Sequence, residues 1–439
     1  MFIFEYIQSL GSGVVVPIMF MLVALVFGQG ITKSVRIGLT IGIGFIGLNL
    51  AIGLFWQYLT PIADALLANF GLEMNYVDAG WMVGATIAFA NPVGTFIIPF
   101  ALGVNIILLS LNLTKTLNVD IWNFWHYAFY GGIVYTLTGN VIYGYVMAGV
   151  MAAVSLKFGD IGAKYIEAEM GIPGISVPQC FAASTLPLGL ILDKIYSYIP
   201  GLNKVNVNPE SLSKKIGIFG EPATIGFLLG AGLSIIVGFD VSTILSNGLG
   251  VAALLFLLPR MVKILMEGLV PLSEAAKEFM QKRFKGREFY IGLDSAITLA
   301  NPTTITAAVL IVPVTLLVAL LPFNTVMPGA DLAAGAYYVC LFSIIHRNDL
   351  VKTMISGSIL IVIVYFFMSL FAPMINTLAI AGGYEATGSL AISTGVNPVA
   401  GPLLVLVKNF GAPLGVILMV LAGVAIFVLG LLYEKKTAE

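Results

Sequence analysis

The sequence contains few charged residues. Of its 439 residues, 10% are charged and 59% are hydrophobic, and the formal net charge is −1. A soluble domain carries about 25% charged residues. This chain therefore has too few charges to cover a globular surface, and most of its outer surface must face lipid. It has no basic tail, so nothing points to a nucleic-acid partner. Its long charge-free runs predict an all-α polytopic membrane protein.

Cysteine is scarce as well. The two cysteines, Cys180 and Cys340, lie in apolar segments, which excludes a disulfide framework and a cysteine metal set. Neither has a charged neighbour that would lower its pKa, so neither is expected to be a nucleophile. The sequence also lacks a G-x-x-x-x-G-K-[ST] loop and an H-E-x-x-H motif. We therefore expect no cofactor, no metal site and no catalytic residue. The chain is expected to bind and move a small polar solute.

The charge-free runs predict about eleven membrane crossings, because one crossing helix needs about 20 apolar residues. The crossings would form a single unit that covers residues 1–439. Two runs are rich in glycine and proline and are expected to form re-entrant hairpins, Gly171–Pro187 and Ser393–Leu404. The first run lacks the basic region and cleavage site of a signal peptide, so we expect an uncleaved span.

An internal repeat is the strongest pattern. Trp81–Leu111 aligns without a gap with Ile291–Leu321, and this alignment places Asn91-Pro92 on Asn301-Pro302. Both runs are too long for one helix, and each is interrupted at a proline, which lacks an N–H donor. Interrupted segments at matching positions of two halves are the best sequence indication of a transporter's binding site.

A second match joins two glycine-rich segments, Ile37–Gly44 and Ile225–Gly232, at a shorter separation than the first match. Glycines at these spacings would form a smooth helix face for close packing. A chance likeness between glycine-rich helices is the alternative. Together, the matches predict two repeats, at about 10–200 and about 215–405, and an extra C-terminal helix at about 409–433.

Lysine and arginine residues predict the orientation, because short cytoplasmic loops carry more of them. The segment from Arg260 to Glu288 is expected to be a cytoplasmic loop, and the tail Glu434–Lys436 is expected on the same side. Before the first span the only charged residue is Glu5, so an external N-terminus and an odd number of spans fit best. A helix near Ser273–Phe284 would either lie on the inner membrane surface or present a solvated charged face.

Three acidic residues are candidates for binding the solute. Asp294 comes seven residues before Asn301, and a carboxylate at mid-bilayer costs about 2.5–3.5 kcal/mol unless it faces a cavity or a partner. Its oxygens can accept hydrogen bonds from adjacent hydroxyls of a polyol. The alternative is a helix-start acid at the interface. Glu221 and Asp331 are the other candidates, with a helix-start acid and a loop acid as their alternatives.

Four further candidates carry amides or an imidazole. His126 lies among aromatic residues and can donate from one nitrogen and accept at the other, which suits a hydroxyl. Gln179 can pair its amide with vicinal hydroxyls, and Asn91 and Asn301 can do the same. The alternatives are a hydrogen-bonded core histidine and amides that satisfy the backbone groups freed at broken helices.

These residues lie in segments that resemble a known family. The segments are VDIWNFWH (Val119–His126), FGEP (Phe219–Pro222), EFYIGLDSAITLANP (Glu288–Pro302) and MPGADLA (Met327–Ala333). Through them the chain resembles, over nearly its whole length, the galactitol-type component IIC of the bacterial phosphotransferase system, in the ascorbate–galactitol superfamily. The segment Glu288–Pro302 is fairly specific, whereas FGEP alone is a weak signal.

The resemblance implies a homodimer in which each subunit has a core domain for the sugar and a scaffold domain for dimer formation. It implies two inverted five-helix repeats plus one helix, and an elevator-like movement of the core. It also implies that galactitol or a related polyol crosses the bacterial inner membrane. A separate component IIB, which carries a phosphocysteine and is supplied by IIA, would phosphorylate the solute. By motif position, His126, Gln179 and Asp294 fall where the family lines its sugar site.

Two features depart from the family pattern. Gln179 stands where the resembling proteins often have histidine, and Asn91-Pro92 has no firm counterpart. Both bear on substrate identity, so galactitol is the first expectation, and another hexitol, a pentitol or ascorbate stays open. The alternative function is a proton- or cation-coupled secondary transporter with Asp294 and Glu221 as ion sites. An integral membrane enzyme is a weaker third alternative.

Overall fold

The computed structural model describes residues 12–69, 75–283, 288–381 and 389–438, which are mostly helical. The α-helices are α1 (Ser12–Val26), α2 (Ile31–Asn69), α3 (Trp81–Ala90), α4 (Ile97–Ser110), α5 (Trp125–Thr138), α6 (Val141–Met170), α7 (Cys180–Ala183), α8 (Leu186–Tyr198), α9 (Pro209–Ile216), α10 (Pro222–Ile236), α11 (Val241–Arg283), α12 (Pro302–Ala319), α13 (Gly335–Ile345), α14 (Leu350–Ala381), α15 (Ala400–Phe410) and α16 (Leu414–Ala438). The strands are β1 (Tyr76–Asp78), β2 (Thr116–Asn118), β3 (Ile175–Ser176), β4 (Tyr290–Gly292), β5 (Val326–Met327) and β6 (Leu390–Ala391).

Four helices in the described ranges are long and apolar enough to cross a bilayer: α6, α12, α14 and α16. The pair α3 and α4 adds a fifth span if it is counted as one bent element. Shorter apolar helices of 10–17 residues lie in α10, α11, α13 and α15. The chain is therefore a multi-pass helical membrane protein. The eleven crossings and the inverted repeats stay predictions.

The chain breaks at both Asn-Pro steps. At Asn91-Pro92 the segment bends by 89° between α3 and the following helical stretch. At Asn301-Pro302 a 3₁₀ helix, Ser295–Ala300, ends and α12 begins with Pro302 in its first turn. Proline is tolerated there because the first N–H groups of a helix have no intrahelical partner. Both long apolar runs are thus two elements each.

Helix α11 differs from the prediction. The sequence predicted a loop from Arg260 to Glu288, but one helix of 43 residues continues to Arg283. At 1.5 Å per residue it is about 65 Å long, more than the thickness of a bilayer. Glu, Lys, Ala, Leu and Met dominate its second half, and these residues favour helix even where the chain leaves lipid. The predicted separate helix at Ser273–Phe284 is the end of α11, and Phe284 lies outside the described residues.

Two pairs of helices, α1–α2 and α10–α11, form one bundle. Glycines permit the close contacts within it: a Cβ at Gly42 would lie 2.6 Å from Pro17, and one at Gly230 would lie 2.7 Å from the Asn247 carbonyl oxygen. Both predicted glycine faces are therefore packing faces.

The match between the two glycine-rich segments, however, does not align the helices that the Asn-Pro match aligns. When α1 is shifted by the offset between Pro92 and Pro302, both of its bounds coincide with those of α10. The same shift brings the start of α2 to the start of α11. The match between Ile37–Gly44 and Ile225–Gly232 instead pairs α2 with α10 and was wrong as a trace of duplication. Glycine spacings of four recur wherever two helices approach closely, so they carry little information on ancestry.

Two small parallel sheets join the halves of the chain. Their strand orders are β5-β1-β6 and β2-β4-β3. In each sheet the central strand comes from one predicted repeat and the two outer strands come from the other. Registers such as Leu117 opposite Ile291, and Ile291 opposite Ile175, align the strand ends. Because all strands run parallel, the residues that follow them meet at one edge.

Candidate functional site

The sheet β2-β4-β3 brings together three of the predicted site residues. Asp294 follows β4 by two residues, and Gln179 follows β3 by three. A 3₁₀ turn, Ile121–Phe124, follows β2 and leads into α5, whose second residue is His126. Residues that are far apart in sequence thus meet at the carboxyl edge of one sheet.

An amide links two carboxylates at this edge. Asn123 Nδ2 donates to Asp120 Oδ2 and to Asp294 Oδ2, both at 2.7 Å. The second oxygen of Asp294 accepts from the Ala296 N–H at 2.8 Å. Asp120 and Asn123 are buried, whereas Asp294 is partly accessible. Both N–H bonds of the amide are used, so Asn123 fixes the separation of the two acids.

The same turn orients His126. Its Nδ1 lies 3.2 Å from the Asn123 carbonyl oxygen, which can only accept, so Nδ1 carries the proton. Nε2 is then an acceptor and faces Gln179 Nε2 at 3.4 Å. The other end of that amide, Oε1, accepts from the Ala182 N–H at 2.7 Å and caps α7. The hydrogen bonds thus assign a neutral imidazole and one orientation of Gln179.

Asp294 and Gln179 are therefore connected through Asn123 and His126. Within the described ranges, no Lys, Arg or His forms an ion pair with Asp120 or Asp294. Two neighbouring carboxylates without a cation favour a ligand that donates hydrogen bonds, or a shared proton. The same residues offer amide and imidazole groups beside the acids. This combination suits a solute with several hydroxyls, each of which both donates and accepts.

Two tryptophans shortly before His126 in the chain have unused donors. The indole N–H groups of Trp122 and Trp125 are buried, and neither has an acceptor in the described part of the chain. The Trp125 ring stacks on the His126 ring with centroids 3.7 Å apart. A buried N–H without a partner costs about 1–3 kcal/mol and needs an explanation. A hydroxyl oxygen is an acceptor of the kind that such a donor lacks.

The sheet β5-β1-β6 holds a second pair of acids. Ser393 Oγ lies 2.7 Å from Asp78 Oδ2 and 3.0 Å from Asp331 Oδ2. Asp331 also accepts from the Trp81 N–H at 2.7 Å and from the Thr394 N–H at 2.9 Å. The predicted candidate Asp331 is thus buried in a separate cluster at the equivalent edge of the other sheet.

The remaining candidates lie elsewhere. Asn91 Oδ1 accepts from the Val93 N–H at 2.8 Å, and Asn301 Oδ1 accepts from the Thr303 N–H at 2.9 Å. Both asparagines therefore cap the chain breaks that they begin. The exposed Glu221 stands at the N-terminus of α10 without a side-chain cap. The structure does not bring these three next to His126, and their solute-binding roles stay predictions.

A cavity of about 320 Å³ lies beside Asn301. Asn348, Glu169 and Glu210 are also in its wall, and an amide chain runs from Asn301 through Asn348 to Glu169. His126, Gln179 and Asp294 do not line this cavity. Within this wall, Asn301, Asn348 and Glu169 already bond to one another.

A third polar cluster resembles a hydrolase triad in its spacing. His346 Nε2 lies 2.8 Å from Ser356 Oγ, and Nδ1 lies 3.1 Å from Asp193 Oδ1. Ser356 and His346 are buried, and Ser356 Oγ also bonds to the Tyr196 hydroxyl at 2.9 Å. Because Ser356 is enclosed and already hydrogen-bonded, it is no candidate nucleophile. The cluster instead links α8, the end of α13 and α14.

Sequence reasoning missed Asp120, Asn123 and Asp78. Asp120 and Asn123 stood inside the quoted segment Val119–His126, yet neither was singled out. One signal could have found the acids: each follows a valine, at Val77-Asp78 and Val119-Asp120, shortly before a helical segment begins. What the pattern could not reveal is that Asn123 reaches Asp294, 171 residues away.

Comparison with known proteins places the chain in a family. The family model for the PTS system sugar-specific permease component matches residues 6–396. A permease IIC component of Escherichia coli (strain K12), whose name assigns no substrate, is 40% identical over 389 residues, 88% of this chain and 89% of the relative. The PTS system galactitol-specific EIIC component of the same strain is 35% identical over 402 residues, 90% of this chain and 89% of the relative. The galactitol-specific component of Escherichia coli O157:H7 matches to the same extent.

Proposed function

The chain belongs to the family of sugar-specific permease components of the phosphotransferase system, and on that premise we propose that it carries galactitol or a closely related polyol. The observation that carries the proposal is the edge of β2-β4-β3. There, Asp294, Asn123, His126 and Gln179 form one connected polar group in a chain that is otherwise mostly apolar. The 35% identity to a galactitol-specific component supports the same substrate class.

In this proposal the site contacts each side of the solute's hydroxyl groups with a different kind of side chain. Asp294, which is partly accessible, accepts hydrogen bonds from adjacent hydroxyls. Gln179 and the indole N–H groups of Trp122 and Trp125 donate to hydroxyl oxygens. A ligand without hydroxyls would leave these buried groups unpaired, and the cost of unpaired groups is the basis of selectivity.

The movement proposed is a sliding of the sugar-holding helices against the bundle α1–α2–α10–α11. The two parts touch where α11 meets the 3₁₀ helix Ser295–Ala300, next to Asp294. A rigid displacement along this contact would carry the site with it. The bundle's outer face is apolar and exposed, for instance at Leu39, Leu50 and Leu249. Part of it would form a homodimer contact, and the rest would face lipid.

Separate partners complete the proposed reaction. The family implies soluble components IIB and IIA, with the phosphoryl group reaching the solute from IIB on the cytoplasmic side. The C-terminal end of α16, which carries Lys435 and Lys436, is proposed to face that side of the bacterial inner membrane. This chain would contribute the path and the binding site, and IIB would contribute the phosphorylated cysteine.

Reconstituted vesicles test the proposal. With IIB, IIA, the general phosphotransferase proteins and phosphoenolpyruvate supplied inside, we expect galactitol phosphate to accumulate. Unlabelled galactitol should compete better than ascorbate or a pentitol. Accumulation of unmodified galactitol driven by a proton or sodium gradient, without phosphoenolpyruvate, would refute it.

That refuting result would favour a second candidate, a proton- or cation-coupled transporter. One observation supports it: Asp120 and Asp294 share a single amide and have no basic partner among the described residues. Such a pair can hold a proton. The vesicle experiment separates the two because only the coupled transporter responds to an ion gradient.

A further inference from the structure

One buried carboxylate has its hydrogen-bond partners in the described residues outside the candidate site. Asp160, in α6, is buried, and its Oδ1 accepts three hydrogen bonds from the start of β2. The donors are the Thr114 hydroxyl at 3.0 Å, the Lys115 N–H at 3.0 Å and the Thr116 hydroxyl at 2.8 Å. The other oxygen, Oδ2, pairs with the buried ammonium of Lys157 at 2.8 Å. Asp160 therefore fixes β2 before the strand reaches Asp120.

The same contact extends to β3. Thr116 Oγ1 lies 2.9 Å from Ser176 Oγ. Thr116 has one hydroxyl hydrogen and gives it to Asp160, so Ser176 must donate to Thr116. The outer strands β2 and β3 are thus joined across the central strand β4.

Gly292 in β4 makes this crossing possible. A Cβ at Gly292 would lie 2.8 Å from Thr116 Cγ2 and 2.8 Å from Pro178 Cγ. A larger residue would therefore push the outer strands apart. Glycine inside a strand commonly marks such a close approach.

The last helix also contributes to this network. Glu434 Oε2 pairs with Lys157 at 2.8 Å, and Oε1 pairs with Lys115 at 3.0 Å. Lys115 in turn pairs with Glu288 at 2.8 Å, just before β4. All three strands that lead to Asp120, Gln179 and Asp294 are therefore tied to one ion-pair network.

We propose that Asp160 is the positioning residue of the solute site. Through Thr116 and Ser176 it sets the distance between the strand ends that carry Asp120 and Gln179. This inference rests on the proposed function and adds to it a residue that acts without touching the solute. Loosening the contact should weaken polyol binding more than it weakens the fold.

The test uses Thr116→Val, which removes the bridging hydroxyl at nearly constant volume and leaves Asp160 paired with Lys157. The matched control is Thr315→Val, because Thr315 is also buried and donates to a helix carbonyl, at Ile311, outside this network. We expect Thr116→Val to raise the Kd for galactitol about tenfold, and Thr315→Val to change it less than twofold. When Thr116→Val is combined with Gln179→Ala, it should reduce the affinity for galactitol little further. The reason is that Thr116 acts through the position of the Gln179 amide, which Gln179→Ala has already removed.

The outcomes separate this inference from the proposed function. If wild-type protein binds galactitol but Thr116→Val binds it equally well, or if the control loses as much affinity, Asp160 is not a positioning residue. Full additivity with Gln179→Ala would overturn it too. If wild-type protein binds no polyol, the proposed function fails, and a readout without ligand decides on Asp160. This readout uses a protein in which Trp122 and Trp125 are the only tryptophans. Thr116→Val should increase the quenching of its tryptophan fluorescence by acrylamide, and Thr315→Val should not. Equal quenching with and without Thr116→Val would refute the inference.

Discussion

Replacing Asp294 by asparagine is the sharpest perturbation that the structure offers. The side chain keeps its size and loses its charge. In wild-type protein, Oδ2 accepts from Asn123 Nδ2 at 2.7 Å and Oδ1 accepts from the Ala296 N–H at 2.8 Å. An amide has one acceptor oxygen, so one of these two donors would face an NH₂ group. Asparagine is nonetheless a good residue at a helix start.

The expected loss of affinity exceeds the expected loss of stability. A hydrogen bond to a charged group contributes about 1.5–3 kcal/mol, so removing the charge should raise the Kd of a polyol about 10- to 100-fold. The lost internal hydrogen bond should cost about 1 kcal/mol of stability, a fall in Tm of about 1–3 °C. Binding and folding are therefore affected to clearly different extents.

The assay is isothermal titration of galactitol into purified protein in lipid nanodiscs, with thermal unfolding measured on the same samples. Asp193→Asn is the control, because it makes the same substitution in a carboxylate of the separate His346 cluster. We expect the control to bind galactitol with unchanged Kd. An Asp294→Asn variant with wild-type affinity would refute the assignment of Asp294 to the site.

Three further predictions concern the other polar clusters. Gln179→Ala should raise the Kd for galactitol about tenfold and alter the ranking among hexitols, because Gln179 loses its amide beside His126; an unchanged ranking in competition binding would contradict this. Asp331→Asn should lower Tm by several degrees, since Trp81 and Thr394 donate three hydrogen bonds to that buried carboxylate. A vesicle uptake assay that detects lost transport with unchanged Tm would instead make Asp331 a solute ligand. Partial burial acts to raise the pKa of Asp193. The hydrogen bond from His346 and nearby positive charges have the larger combined effect, so the pKa is lowered. The stabilisation by the Asp193 carboxylate is therefore present above the ordinary pKa of 3.8 and is lost as pH falls through the lower pKa of the folded state. Asp193→Asn should reduce Tm by about 2 °C at pH 7, and the difference in Tm should shrink as pH falls below 3.8; a constant difference would refute the linkage.

The sequence was sufficient for the membrane class and for the chain breaks. Low charge and long apolar runs are properties of the whole chain, and Asn-Pro steps impose local geometry. The breaks at Asn91 and Asn301 therefore fall where the pattern predicted them. The match between the glycine-rich segments of α2 and α10 misled because a packing requirement alone produces it.

The inner arrangement of the site could not be predicted from the sequence. It depends on two parallel three-stranded sheets, whose strands have two or three residues each. Segments of that length have no periodicity to recognise, and their pairing joins distant parts of the chain, as from Thr116 to Tyr290. Asp120, Asn123 and Asp160 become site or support residues only through this pairing.

The most direct test of the account is a structure of the protein with bound galactitol in a lipid nanodisc. We expect the polyol at the edge of β2-β4-β3, within hydrogen-bond distance of the Asp294 carboxylate and the Gln179 amide, with hydroxyl oxygens facing the indole N–H groups of Trp122 and Trp125. A polyol seated instead in the cavity beside Asn301, or between Asp78 and Asp331, would contradict the assignment of the site.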